Sequence, residues 1–384
     1  MRDQARQLNI QILRALAATL VVIGHAFHDM QALKGAAEAA PTWLDRLNWG
    51  WGVDVFFVIS GFIMFFTSAD GFGRPGAARV FVTRRLIRIA PLYWATTTLL
   101  IAGAAVAPQL LNVPIGSGSH VLASYLFIPD LRPNGEVRPV MALGWTLNYE
   151  MFFYVFFALA LLLPLRRGLA ALAVAFAALV AVGQFGPWGV TQIDFWTSPL
   201  LLEFLAGAVI GALMRGGARL NPAPAVAIAV VCLALGLAGG ASASAADSLL
   251  RAFRYGLPAV GLVAAGALAP NARPSRAVLA LAFLGDASYA LYLIHPYAIR
   301  PLRVAWQAAI GDALPSSLFV VVCLGLAIAL AVGLHLGFER PATRRLNALA
   351  GAAGLLARAA GSTGSAADAA AALVASRELQ SQRG

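Results

Sequence analysis

Blocks of about 17–22 mostly apolar residues recur along almost the whole chain. An α-helix rises 1.5 Å per residue, so each block is long enough to cross a hydrocarbon layer of about 30 Å. Hydrophobic residues fill 60% of the 384 positions and charged residues only 12%, too few to cover the surface of a soluble domain of this length. We therefore predict an all-α, polytopic membrane protein with about ten transmembrane helices.

The ten predicted spans are joined by mostly short connections. Their bounds are Ile10–His28, Gly50–Ser68, Ala90–Pro108, Gly144–Pro164, Gly168–Phe185, Pro199–Met214, Pro222–Gly240, Tyr255–Pro270, Gly285–Ala305 and Ser316–Phe338. The run Val121–Pro129 is too short to cross, so we expect it to be re-entrant or interfacial. The membrane domain is placed at residues 1–346. The Ala-rich segment 347–384 is either a frayed helix or, as we predict, a disordered cytoplasmic tail.

The basic residues predict the orientation of the chain. The net charge is +11, but the Arg residues lie mostly in short connections between spans, where topology requires them, so we do not predict nucleic-acid binding. Placing both termini in the cytoplasm gives the inner connections more Arg than the outer ones. The first apolar run resembles a secretory signal, but it carries Arg14 and His25 and many similar spans follow, so we interpret it as an uncleaved anchor. Cys232 and Cys323 lie inside spans and indicate neither a disulfide nor a metal site.

Ionisable side chains inside the spans are the first candidates for function, because burying them in a bilayer is costly. Arg14 and His25 in span 1 are eleven residues apart. Eleven steps of 100° leave a rotation of about 20°, so both lie on one helix face, separated by about 16 Å along the axis. The alternatives are an Arg14 side chain that extends to the inner headgroups and a His25 that bonds to a neighbour at the interface.

Two further spans place carboxylates at a depth similar to that of His25. Asp54 enters span 2 from the outer side, and Glu150 lies in the outer third of span 4; Glu203 in span 6 has a similar depth. We expect Asp54 to pair with His25 or His28, since a carboxylate orients a histidine and raises its basicity. Such a group suits a general base that activates a hydroxyl. The alternative for Asp54 is a carboxylate at a helix N-terminus.

Polar residues also follow one face of span 9. Ser288, Tyr292 and His295 have the spacing i, i+4, i+7, and Pro296 follows them. A polar stripe that faces the bundle interior suits a substrate path, although hydrogen bonds between helices would explain it equally well.

The connection before span 3 carries five Arg residues between positions 74 and 88. Arg84, Arg85 and Arg88 form its end. Guanidinium groups bind phosphates through paired hydrogen bonds, so this segment is a candidate site for a phosphate-bearing donor. Orientation together with anionic lipid is the alternative explanation.

Several of these segments together resemble the acyltransferase-3 family of integral membrane acyltransferases, especially its bacterial exopolysaccharide O-acetyltransferases. The similar segments are Gln11–Ala18 with His25, Gly52–Phe62, Arg85–Trp94, Trp145–Glu150 and Ser288–Pro296. They occur in the same order as in the family and cover spans 1 to 9.

The resemblance implies a multi-pass protein of the bacterial inner membrane that takes acetyl from cytoplasmic acetyl-CoA and transfers it to a glycan hydroxyl. It implies that Arg14 and His25 are needed for activity and that Arg85 and Arg88 contact the CoA donor. The family's second acidic residue in span 4 is replaced by Met151. The hydrolase-like domain of some members is missing, so the chain would act alone or with a separate protein of polysaccharide assembly. Acetyl-CoA is expected as a co-substrate, with no permanently bound cofactor or metal.

Within this interpretation His25, supported by Asp54 or Glu150, is either the general base or a transient acceptor of the acyl group. The alternative function is a transporter or flippase of a lipid-linked sugar, which also requires polar groups along a path through the helices. The Arg-rich segment favours the enzyme, because a transporter has less need of a phosphate site on the cytoplasmic side.

Overall fold

The computed structural model describes residues 7–38, 43–106, 115–238, 249–311 and 316–361. Within these ranges the regular structure is helical, and the only β pairing is an isolated bridge between Leu131 and Val137. The all-α prediction is confirmed.

Fourteen α-helices, labelled here in chain order, form the bundle over the described residues. They are α1 (Leu8–Glu38), α2 (Gly52–Ser68), α3 (Ala77–Val106), α4 (Gly118–Tyr125), α5 (Trp145–Ala160), α6 (Leu165–Gly183), α7 (Thr191–Trp196), α8 (Leu201–Arg215), α9 (Pro222–Leu237), α10 (Leu257–Leu268), α11 (Arg276–Asp286), α12 (Ser288–Ala309), α13 (Ser316–Leu334) and α14 (Arg340–Gly361). A helical turn at Leu249–Arg251 and a π-turn at Ala252–Gly256 lead into α10, and a second π-turn, His335–Glu339, joins α13 to α14.

The length and apolar character of the helices identify an integral membrane protein. Six helical segments in the described part are long and apolar enough to cross a bilayer, and a bent pair, α11 with α12, would make a seventh. Predicted spans 4 and 7 correspond to the 16-residue helices α5 and α9, and predicted span 8 corresponds to the 12-residue helix α10 with the end of the π-turn that precedes it. The count of ten and the orientation of the termini therefore stay predictions.

Two sequence-based boundaries differ from the structure. The Arg-rich segment predicted as a loop becomes helical at Ala77, so Arg84, Arg85 and Arg88 lie within α3, which continues through Pro91. Predicted span 9, Gly285–Ala305, lies almost wholly within α12, and the 72° bend between α11 and α12 at Ala287 falls near its first residue. The predicted tail starts inside α14, and its remainder, residues 362–384, lies outside the described residues.

Helix α1 lies at the centre of the fold. It packs against α2, α11, α12 and α13, while α2 makes its most extensive contact with α8, and α3 packs on α5. Because α1, α2, α3, α5 and α12 face one another, the polar residues that the sequence distributes over these spans can meet inside the bundle.

The contact between α2 and α8 depends on glycine. A Cβ atom on Gly61 would collide with the backbone carbonyl of Phe204, and one on Gly207 would collide with the carbonyl of Val58. Small residues allow two helix backbones to approach closely, which is the usual source of packing energy between helices in lipid.

We expect Gly61→Val to destabilise the bundle by about 3 kcal/mol, near the top of the range for overpacking, because the colliding atoms belong to the backbone and cannot rotate away. Thermal unfolding in detergent measures the effect. Gly325→Val in α13 is the matched control, since a Cβ at Gly325 meets no atom within 4 Å. Equal melting temperatures for the two variants would contradict the close packing of α2 on α8.

Candidate active site

A cavity of about 1200 Å³ opens between α1, α2, α3, α5, α12 and α14. Along α2 its wall runs from Val53 to Thr67, fourteen helical steps or about 21 Å. It gathers most of the site residues predicted from the sequence. Those that line it are Arg14, Arg84, Arg85, Arg88, Glu150, Ser288 and Tyr292.

One part of the cavity wall is strongly basic. Arg14 hydrogen-bonds to Gln11, one turn earlier on α1, at 3.0 Å. Arg85 donates to the hydroxyl of Thr67 at 2.7 Å and lies over the ring of Phe81, and its buried Nε–H has no hydrogen-bond partner in the described part of the chain. Guanidinium groups held in this way are pre-arranged to receive phosphate oxygens.

Arg88 is already paired with a carboxylate. It forms a salt bridge with Glu339 of the second π-turn, and Glu339 also contacts Nδ1 of His335 at 2.7 Å. Arg88 also lies over the ring of Tyr289. The salt bridge between Arg88 and Glu339 connects α3 to the junction of α13 and α14. Because Glu339 is negatively charged, it partly neutralises the positive charge that Arg88 presents to the cavity.

Glu150 is the acidic residue of the cavity wall in the described chain. Its carboxylate accepts hydrogen bonds from Ser60 at 3.0 Å and from Tyr154 at 2.6 Å. Both donors line the cavity as well. Two hydroxyl donors fix this carboxylate against the wall between α2 and α5, on the cavity side of the bundle.

Aromatic residues close the other end of the cavity. The hydroxyl of Tyr292 donates to the carbonyl of Leu143 at 3.0 Å and lies 3.1 Å from that of Thr146. The Tyr292 ring stands 6.2 Å from Phe56 and 6.3 Å from the ring of His295, centroid to centroid. His295 therefore lies directly behind the residue at which the cavity ends.

His25 faces His295. The two ring centroids are 4.8 Å apart, so the His25 ring is directed toward α12 and not toward the lipid, although it keeps exposed surface. Its Nδ1 lies 2.9 Å from the carbonyl oxygen of Val21. A carbonyl only accepts hydrogen bonds, so Nδ1 carries the proton and Nε2 presents a lone pair.

The cavity ends about one helical turn from His25. Gly52 at the start of α2 lies against Ala17 and Val21 of α1, because a Cβ there would collide with both. Val53, the outermost α2 residue of the cavity wall, is next to Gly52. Val21 precedes His25 by four residues, about 6 Å along the helix.

The structure places Asp54 in a different group from the one expected. Asp54 forms a salt bridge with Arg251 at 2.8 Å, and Arg251 also contacts Glu203 at 3.5 Å. Both carboxylates are buried. The expected pairing of Asp54 with His25 or His28 is thus replaced, among the contacts of the described residues, by a buried ion cluster between α2, α8 and the turn before α10.

The sequence did not predict the ionic partners of Arg88 and Asp54. His335 and Glu339 lie at the end of predicted span 10, and Arg251 lies in the connection between predicted spans 7 and 8. The exposed Arg79 on α3 also lines the cavity. The signal for Glu339 was present, since it is an ionisable residue at the end of an apolar span.

Comparison with known proteins identifies the family of this chain. A family model described as an acyltransferase domain matches residues 7–336. The chain belongs to the acyltransferase-3 family. The match covers the cavity walls on α1, α2, α3, α5 and α12, and the chain is therefore an integral membrane acyltransferase.

Two relatives extend over most of the chain. The exopolysaccharide production protein ExoZ of Rhizobium meliloti is 38% identical over 311 residues, covering 80% of this chain and 94% of the relative. The acyltransferase MdmB of Streptomyces mycarofaciens is 27% identical over 342 residues, covering 77% of this chain and 81% of the relative. No solved structure matches the acyltransferase described here.

Proposed function

We propose that this acyltransferase moves an acetyl group from cytoplasmic acetyl-CoA to a hydroxyl of an exopolysaccharide, or of its lipid-linked precursor, in the inner membrane of a bacterium. The observation that carries the proposal is a single cavity with a basic wall that ends about one helical turn from His25, a histidine with an available lone pair. Under the predicted orientation the basic wall is on the cytoplasmic side, where acetyl-CoA is found.

The donor is held through its phosphates. Arg84, Arg85 and Arg14 offer guanidinium groups along one wall, and the free Nε–H of Arg85 is a donor for an incoming oxygen. Charge-assisted hydrogen bonds of this kind are short and about twice as strong as neutral ones. With the nucleotide held at the basic wall, the pantetheine arm extends along α2 toward Phe56 and Tyr292.

Transfer takes place beyond Tyr292. The thioester reaches His25 by passing the contact between Phe56 and Tyr292, while the acceptor approaches from the opposite side, where His25 keeps exposed surface. Nε2 of His25 takes the proton of the acceptor hydroxyl as its oxygen attacks the acyl carbon, and the bond to sulfur breaks. Glu150, fixed by Ser60 and Tyr154, adds negative charge to the cavity wall.

The nature of the acceptor is inferred from the relative named for exopolysaccharide production. The direct test compares the ester content of the exopolysaccharide from cells with and without this chain. Loss of O-acetyl esters from otherwise unchanged polysaccharide is the expected result. Unchanged ester content, together with no acetyl-CoA consumption by the purified protein, would contradict the proposal and favour transport.

A variant of Arg85 tests the donor site. We expect Arg85→Gln to raise the KM for acetyl-CoA about 10- to 100-fold, since a hydrogen bond to a charged group contributes about 1.5–3 kcal/mol. With S-acetylpantetheine, which lacks the nucleotide phosphates, the variant and the unaltered protein should have the same KM. Free CoA released over a range of donor concentrations is the measurement.

The matched control for Arg85 is Arg166→Gln. Arg166 is an exposed residue at the start of α6 that does not line the cavity, so its variant should keep the normal KM for acetyl-CoA. If Arg85→Gln raised the KM equally for both donors, Arg85 would have a role other than binding phosphate.

A further inference from the structure

We infer that His295 is a second acid–base residue of this acyltransferase, which takes a proton from His25 and delivers it to the sulfur atom of the departing CoA. The inference rests on the proposed function and adds a catalytic role for His295, which the sequence placed only on a substrate path.

The first observation is that the two imidazoles share one protonation pattern. Nδ1 of His295 lies 3.2 Å from the carbonyl oxygen of Leu291, one turn earlier on α12. In the same way, Nδ1 of His25 lies 2.9 Å from the carbonyl oxygen of Val21, one turn earlier on α1. Both Nδ1 atoms are therefore donors, and both Nε2 atoms present lone pairs. Each histidine can take up one further proton, and only at Nε2.

The second observation is that the Nε2 atom of His295 has no hydrogen-bond partner over the described residues, although the side chain is fully buried. A buried polar atom without a partner costs about 1–3 kcal/mol, so such atoms are rare unless they have a function. Tyr292, whose ring lies 6.3 Å from that of His295, directs its own hydroxyl to Leu143 and Thr146. The lone pair of His295 is thus available to a proton carrier.

The third observation is the position of His295 between the two substrate approaches. One neighbour is His25, whose exposed surface faces the acceptor side, and the other is Tyr292, which ends the donor cavity. Two imidazoles 4.8 Å apart in a low-dielectric interior do not both carry a charge, because like charges repel strongly there. The pair therefore takes up at most one extra proton at a time. No hydrogen bond joins the two rings in the described structure, so passage of that proton from His25 to His295 requires a ring rotation or an intervening water molecule.

The resulting steps balance. The acceptor O–H bond breaks, its proton goes to Nε2 of His25, and the new C–O bond forms as the electron pair of the C–S bond moves to sulfur. The proton passes from His25 to Nε2 of His295 and from there to the thiolate. Both imidazoles return to the neutral form, and the products are the ester and free CoA thiol.

The test varies the basicity of the leaving atom. Acetyl-CoA and its oxygen-ester analogue, in which oxygen replaces sulfur, are compared as donors, with exopolysaccharide from cells that lack this chain as acceptor. A thiolate departs with little help, whereas an alkoxide requires protonation. We expect His295→Gln to slow thioester transfer about 10-fold and oxygen-ester transfer about 10²–10⁴-fold, with unchanged KM for acetyl-CoA.

Two further variants separate this role from a structural one. His295→Asn keeps a donor near the Leu291 carbonyl but lacks a base at the Nε2 position, so it should show the same dependence on the leaving atom. His28→Gln removes an exposed histidine one turn beyond His25 on α1 and should leave both rates unchanged.

The outcomes distinguish the two proposals. Equal losses of transfer rate with both donors in the His295→Gln variant would overturn the role of His295. Transfer by the unaltered protein from the thioester but not from the oxygen ester would also overturn it, because an acid that protonates the leaving atom should allow transfer from both donors. No transfer from acetyl-CoA by the unaltered protein would instead overturn the proposed function.

Discussion

Replacement of His25 with alanine is expected to lower acetyl transfer by about 10²–10⁴-fold, the usual contribution of a positioned general base. The effect should fall on kcat, because the donor is held at the basic wall, where Arg14 lies about 16 Å from His25 along the axis of α1. Acetyl transfer to exopolysaccharide and release of free CoA by the purified protein in detergent measure the loss. The amount and melting temperature of the folded protein should stay normal, since the described contacts of the ring are a backbone carbonyl and one neighbouring imidazole.

The control for His25 lies on the same helix. His28→Ala removes an exposed imidazole from α1, one turn further along, and should retain near-normal transfer. Undiminished acetylation by a correctly inserted His25→Ala variant would remove His25 from the mechanism, and the enzymatic base would have to be sought elsewhere in the cavity. Loss of both folding and activity would indicate a structural role.

The sequence predicts the helical class and much of the cavity, because both follow from periodicity. The i, i+4, i+7 spacing on span 9 brings Ser288 and Tyr292 to the cavity wall, with His295 one turn beyond. The segment with Arg84, Arg85 and Arg88 also reaches the cavity, although it is helical where a loop was expected. The local sequence therefore predicts most of the cavity wall, but depth along each helix does not group the residues correctly, since Glu150 lines the cavity whereas His25 and Asp54 do not.

Depth does not determine which way a side chain points, and this explains the misplacement of Asp54. Gly52 faces α1, and Asp54 follows it by two residues, a rotation of about 200°, so its side chain points away from His25. Val53, Phe56 and Ser60 share the face that lines the cavity. The actual partner, Arg251, is distant in sequence and belongs to a turn that only tertiary packing brings to α2. The contact between Glu339 and Arg88 also could not be predicted from local sequence, because it depends on a π-turn that no local pattern predicts.

The largest effect on stability is expected at this ion cluster. Asp54→Ala should destabilise the folded protein by about 3–5 kcal/mol, because it removes the 2.8 Å partner of the Arg251 guanidinium, whose contact with Glu203 is longer at 3.5 Å. Denaturant unfolding in mild detergent, together with the yield of membrane-inserted protein, measures the loss. Asp70→Ala is the control, since Asp70 pairs with Arg215 in a salt bridge whose two side chains are exposed, and such pairs contribute little to stability.

A double-mutant cycle shows whether the effect comes from the ion cluster or from catalysis. Asp54→Ala with Arg251→Ala leaves Glu203 as the single remaining acid, which can take up a proton and become neutral, so the double variant should lose clearly less than the sum of the two single losses. If the two losses simply add, the salt bridge between Asp54 and Arg251 contributes nothing. A fully stable Asp54→Ala variant with kcat as low as that of His25→Ala would place Asp54 in the chemistry instead. We expect instead a destabilised Asp54→Ala variant whose folded fraction keeps a near-normal kcat. Asp54 and His25 occupy different faces of the α1–α2 pair, and the charge of the Asp54 carboxylate is already neutralised by Arg251, so it has little effect on the His25 imidazole.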